Sequence, residues 1–187
     1  MSQSQLLIEA VTALESAGVG YMLTGSLASS LQGEPRATHD VDIVVEVDAR
    51  VVVAVASAFG TDGYFFDEIA AREALGSQGM FNLLDTRDGD KIDFWALTDD
   101  PFDRSRFERR VRTRVFGVDL SVSAPEDTIL QKLKWAAAVG GSERQLRDAA
   151  GVYELQRGAL DEDYLDRWAA ELGIVDMLTQ VRVASEG

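Results

Sequence analysis

Apolar and polar positions change period several times along the chain, and those changes predict its elements. In "SQLLIEAVTALESAG", Leu6, Leu7, Val11 and Leu14 recur at helical spacing until Gly18 ends the run. "VGYMLTG" is a short apolar strand, and "SLASSLQG" is a short helix that begins directly after Gly25. "DVDIVVEV" alternates with period two and reads as a strand. "DARVVVAVASAFG" is a helix with Asp48 as its expected N-cap, and "FDEIAAREALG" is a further helical piece. "MFNLLDTRDGDKIDFWAL" reads as strand, turn and strand, turning at Arg87-Asp88-Gly89-Asp90. "FDRSRFERR" is helical, and "VRTRVFGVDLSVS" is a second hairpin turning at Gly117. From Pro125 onward only helical periods remain, the first opening with proline and two acids as helix N-termini do. The expected architecture is an α+β portion to about residue 124 followed by a helical portion.

Composition narrows the class. With 46% hydrophobic and 27% charged residues, 187 residues suffice for one compact domain or a core with a helical appendage. The absence of cysteine excludes disulfides and thiolate metal sites. The opening "MSQSQLLIEAVTALE" lacks the basic region and long apolar core of a secretory leader. The most apolar window, Val51 to Phe59, is too short to span a bilayer, so a cytoplasmic protein with no membrane association is expected. The net charge of −14 argues against non-specific sliding on nucleic acid. Six of the eighteen basic residues nevertheless fall between Arg104 and Arg114. That strip reads as a solvated edge or as a phosphate-binding strip, with the solvated edge favoured.

The chemistry concentrates in "TGSLASSLQGEPRATHDVDIVV". Asp40 and Asp42, two apart on a strand, point to the same side, and Val41, Ile43 and Val45 point to the other. Two carboxylates about 5 Å apart repel by roughly 3 kcal/mol at an effective dielectric of about 20. A bound divalent cation would offset that cost. Asp93, in the apolar strand "KIDFWAL", joins the pair if the two strands are neighbours. Three carboxylates on one sheet face can hold Mg²⁺ or Mn²⁺ ions that clamp a triphosphate and activate an attacking hydroxyl. Gly25-Ser26 lies at a strand-to-helix junction, where a backbone can approach a phosphate closely. His39 is expected to face away from Asp40; Trp95, on the face opposite Phe94, could lie near the site, but a core role is favoured. Trp135 and Trp168 are expected to pack helices.

Gly-Ser, a short helix and loop, Asp-x-Asp and a later strand aspartate together resemble the DNA polymerase β-type nucleotidyltransferase superfamily. More specifically, "GSLASSLQGEPRATHDVD" resembles the first motif of AbiEii/AbiGii-type nucleotidyltransferases, with Arg36 and Thr38 at its basic and hydroxyl positions. "IDF" matches the second motif, "ILQKLKWA" the third at Lys132, and "RQLRDAAG" the fourth at Asp148. The motifs occur in the family's order between about residues 20 and 151. One departure is plain: the second acid commonly found in the fourth motif is replaced here by Gly151.

The resemblance implies a small mixed β-sheet nucleotidyltransferase core over residues 1–124, flanked by helices, with a C-terminal helical portion over 125–187 packed on it. It implies Asp40, Asp42 and Asp93 as catalytic metal ligands. It implies Gly25, Ser26, Arg36, Thr38, Lys132 and Asp148 as nucleotide-binding residues. Arg36 could instead pair with Glu34 or Asp40, Thr38 could cap a turn, and Lys132 could be a solvated helix residue. The implied reaction transfers NMP from an NTP to an RNA acceptor, tRNA included, or to a protein, in a toxin–antitoxin or phage-defence setting with an antitoxin partner. The alternative is a non-catalytic nucleotide- or partner-binding module with the same fold.

Overall fold

The computed structural model describes residues 2–38, 40–60 and 62–185. The described chain divides into two compact units, Met1–Thr24 with Thr38–Val122, and Gly25–Ala37 with Ser123–Gly187.

The first unit is built on a seven-stranded mixed sheet of order β3-β4-β5-β2-β1-β7-β6. The strands are β1 (Tyr21–Thr24), β2 (Asp40–Val45), β3 (Tyr64–Phe66), β4 (Met80–Asp85), β5 (Lys91–Ala96), β6 (Val111–Val115) and β7 (Val118–Val122). β2 runs parallel to β5, and β1 parallel to β7, while every other neighbour is antiparallel. Both expected hairpins are present. In the first, the buried Asp85 carboxylate accepts hydrogen bonds from the Arg87 backbone and guanidinium. Those guanidinium bonds hold the Asp85 pKa down to about 2. Gly89 completes the turn at φ +77°, a conformation that favours glycine. β3 was not expected. Three residues are too few to show an alternation, and only pairing with β4 makes this segment a strand.

The helices of this unit are α1 (Gln3–Ser16), α3 (Arg50–Phe59), α4 (Glu68–Gly76) and α5 (Pro101–Glu108), with α1 packed on α3. α1 starts in a capping box between Ser2 and Gln5. Asp100 caps α5 ahead of a proline. Asp48 is not the N-cap of α3, a position held by Ala49. Asp48 sits one residue upstream, where its carboxylate takes both the Arg50 N–H and the Arg50 guanidinium. The core draws on the sheet face that carries Val41, Ile43, Ile92 and Phe94, all fully buried.

The second unit is helical: α2 (Gly25–Gln32), α6 (Pro125–Ala138), α7 (Glu143–Gln156), a 3₁₀ turn (Arg157–Ala159), α8 (Glu162–Leu172) and α9 (Val175–Ala184). α2 packs against α6 and α7. Trp168 is buried near Tyr164, as expected of a packing residue. Trp135, however, is 45% exposed on α6, because Ile129, Leu130, Leu133 and Ala136 already supply that helix's buried face. No described helix is long and apolar enough to cross a membrane.

Candidate active site

The sheet brings the three aspartates to one face. Alternation along β2 puts Asp40 and Asp42 on the same side. The parallel register then sets Asp42 beside Asp93 and Asp40 beside Lys91. Thr24, opposite Asp42 across the antiparallel β1–β2 pair, lies in the same row. Exposure falls steeply across this group, from 61% for the Asp40 side chain to 10% for that of Asp93.

The repulsion anticipated between these carboxylates is offset by a residue that sequence reasoning missed. The Lys91 ammonium lies 2.8 Å from Asp93 Oδ2 and 3.7 Å from Asp40 Oδ1. Its hydrogen bond to Asp93 raises the Lys91 pKa, against the opposing effect of partial burial. The signal was present in "KID", where period two places Lys91 on the face of Asp93. Trp95 combines the two roles open to it. It leans on the Met22, Val44, Leu97 and Phe107 cluster, but its indole N–H also donates to Asp42 Oδ1 at 3.1 Å. His39 lies outside the described residues.

All-oxygen carboxylate donors suit a hard divalent cation such as Mg²⁺ or Mn²⁺. One observation supports such an ion here: Asp93 Oδ1 is buried and accepts no hydrogen bond. A buried carboxylate oxygen without a donor is costly, and a cation would satisfy it. Among the described residues no three carboxylate or histidine side chains converge into a ready cage. The donor chemistry therefore fits a metal ion, while Lys91 holds the position between Asp40 and Asp93.

In the helical unit a second cluster forms. α2 opens at Gly25 with φ +68°, a left-handed conformation that a side chain would strain. Next to it, Ser26 Oγ accepts from Arg36 Nη2 at 2.5 Å and from Lys132 Nζ at 3.4 Å. Asp148 ties both cations together, receiving Arg36 Nε and Nη2 at 2.9 Å each and Lys132 Nζ at 2.7 Å. Arg36 thus pairs with neither Glu34 nor Asp40, and Lys132, with its side chain only 6% exposed, is no solvated helix residue. Burial opposes the charge on Asp148, but the hydrogen bonds from Arg36 and Lys132 outweigh it and lower its pKa. The Arg36 pKa is raised by the same bond. Two cations thus converge on the Ser26 hydroxyl, where their N–H groups could also donate to an anionic oxygen.

Gly151 has a packing reason. A Cβ on Gly33 would stand 2.7 Å from the Val152 nitrogen and 2.8 Å from the Gly151 carbonyl carbon. A Cβ on Gly151 would in turn meet the Glu34 nitrogen at 3.4 Å. The end of α2 and the middle of α7 therefore touch backbone to backbone at Gly151.

Thr38 takes a turn role in the sheet unit. Its hydroxyl donates to the Asp40 carbonyl at 3.2 Å, and its own carbonyl accepts from Gln3 Nε2 at 2.8 Å. The arginine strip is largely neutralised. Arg104 pairs with Asp99, Arg106 with Asp103, Arg112 with Glu15 and Arg114 with Asp119. The solvated-edge reading holds for β6, which forms one margin of the sheet.

This mixed sheet, with its aspartates aligned on one face, defines a nucleotidyltransferase-like fold. An antigenic nucleotidyltransferase-like protein from Paracoccidioides brasiliensis superposes with a TM-score of 0.57 at 18% identity, over 96% of this chain and 91% of its own. ANT(2'')-Ia in complex with adenylyl-2''-tobramycin gives a TM-score of 0.57 at 12% identity, over 92% and 97% of the two chains. The solution structure of the same antibiotic-resistance factor gives 0.53 at 13% identity, over 91% and 92%. No protein-family model matches the chain. No curated protein matches it either.

Proposed function

We propose that this protein is a cytoplasmic, metal-dependent nucleotidyltransferase that moves NMP from an NTP to an acceptor hydroxyl and releases pyrophosphate. The observation that carries this reading is the in-register pair Asp42 and Asp93, with Asp40 on the same face and the buried Asp93 Oδ1 unsatisfied. Asp40, Asp42 and Asp93 would hold Mg²⁺ or Mn²⁺, which when bound neutralises triphosphate charge and lowers the pKa of an attacking hydroxyl. The Asp93 carboxylate would also help take the acceptor's proton as the hydroxyl oxygen attacks the α-phosphorus and pyrophosphate leaves. In the helical unit Ser26, Arg36 and Lys132 would contact phosphate oxygens beside the open turn at Gly25, and Asp148 would hold the two cations in position.

The order of the motifs supports an AbiEii-like enzyme with an RNA acceptor, tRNA included, or a protein acceptor. Such an enzyme would work in a toxin–antitoxin or phage-defence setting opposite an antitoxin. A second reading, a non-catalytic nucleotide- or partner-binding module, is favoured by one feature, the Lys91 ammonium lodged among the carboxylates.

Incubation with each labelled NTP, Mg²⁺ or Mn²⁺, and total RNA or cell extract separates the two. Label transferred to an acceptor, and lost in Asp42→Asn, is the expected result. NTP-dependent thermal stabilisation without transfer identifies the binding module. Stabilisation should reach about 2.7 kcal/mol at a hundredfold excess over Kd. Neither transfer nor stabilisation with any NTP overturns both readings.

A further inference from the structure

The structure places the Lys91 ammonium between the Asp40 and Asp93 carboxylates. It bonds Asp93 Oδ2 and leaves Oδ1 of the same carboxylate buried and bare. Its side chain is one-third exposed, so the ammonium can swing to water on a flexible stem. We propose that Lys91 is a tethered counterion that holds the Asp40–Asp93 pair together in the metal-free protein and competes with the divalent cation for it. This inference rests on the metal-dependent reading above.

The physical argument is one of like charges. An ammonium ion within bonding distance of Asp93 repels a divalent cation bound to the same carboxylate. Metal entry therefore requires the ammonium to leave Asp93 Oδ2, and the cost of that departure is subtracted from metal affinity. The arrangement offsets part of the negative charge of the carboxylate face at low metal and raises the metal concentration needed to load it, unless a nucleotide brings the metal with it. Removing the charge should tighten metal binding, whereas a purely structural lysine would leave it unchanged.

The test compares wild type, Lys91→Gln and Lys91→Arg by Mn²⁺ titration, read by electron paramagnetic resonance and by thermal unfolding, without NTP. Lys91→Gln should bind Mn²⁺ at least about tenfold more tightly, equivalent to about 1.4 kcal/mol. Its metal-free form should melt lower than wild type and regain stability as Mn²⁺ is added. Lys91→Arg, which keeps the charge, should resemble wild type. Equal Mn²⁺ affinity in wild type and Lys91→Gln would refute the counterion role while leaving the metal site standing. No Mn²⁺ binding by any of the three would remove the metal-dependent reading and this inference with it. Should Lys91→Gln fail to fold, wild type itself decides. Lys91, Lys132 and Lys134 are the chain's lysines, so their side-chain nitrogen NMR signals are readily assigned. Diamagnetic Mg²⁺ should move the Lys91 signal to the position of a free lysine, and an unmoved signal under saturating Mg²⁺ overturns the proposal.

Discussion

Trp95 donates its indole N–H to Asp42 Oδ1 at 3.1 Å across the parallel β2–β5 pair. A donor on one carboxylate oxygen fixes which oxygen is left for other partners, so Trp95 orients Asp42 from outside the carboxylate group. Trp95→Phe keeps the ring against Met22, Val44, Leu97 and Phe107 and removes the N–H. Loss of such an outer partner lowers metal affinity by roughly ten- to a hundredfold. Mn²⁺ titration should show a loss of that size with little change in melting temperature, and unchanged affinity would return Trp95 to a packing role alone.

Asp93→Asn tests the most buried of the three acids. The substitution keeps the shape and removes the charge that would accept the acceptor's proton. NTP binding should stay within a few-fold of wild type, while transfer should fall by roughly a hundredfold or more. Asp40→Asn should weaken both. Transfer at the wild-type rate by Asp93→Asn would make Asp93 an ordinary hairpin residue.

Asp148 links stability to pH. Its carboxyl is held below its ordinary value of 3.8 because Arg36 and Lys132 favour the charged form. A group whose folded pKa is depressed contributes stability above its unfolded pKa and loses it as pH falls through the folded value. Asp148→Asn should therefore cost on the order of 2 kcal/mol at neutral pH, the scale of hydrogen bonds to charged groups. Urea unfolding of the two proteins across acid pH should show the difference shrinking below about pH 4. A constant difference would mean that charge on Asp148 is not what holds the cluster.

Gly33→Ala places a methyl against the backbone of α7, 2.7 Å from the Val152 nitrogen. Backbone cannot rotate away as a side chain can, so α2 and α7 must part. The expected cost is about 1–3 kcal/mol, typical of overpacking a tight contact, measured by chemical denaturation. An unchanged midpoint would show that the two helices separate freely.

Much of this protein could be read from its sequence because the relevant rules are local. Period-two alternation assigns Asp40, Asp42, Lys91 and Asp93 to strand faces without knowledge of any neighbour. Turn chemistry at Gly89 and Gly117 and the proline start of α6 are equally local, and the structure has each in place. Tertiary structure alone decided three things. The β2–β5 register set Asp42 beside Asp93 and Lys91 beside Asp40, and strand pairing is chosen by packing across the whole sheet. β3 exists only because β4 offers it a ladder. The bond between Arg36 and Asp148 spans 112 residues. No periodicity encodes that partnership; it arises because glycines at 33 and 151 let α2 and α7 meet backbone to backbone, which brings a loop arginine and a helix aspartate within reach. Short-range steric preferences act on neighbours in the chain and can be read there, whereas the choice of partner for a long charged side chain is settled only when distant elements pack.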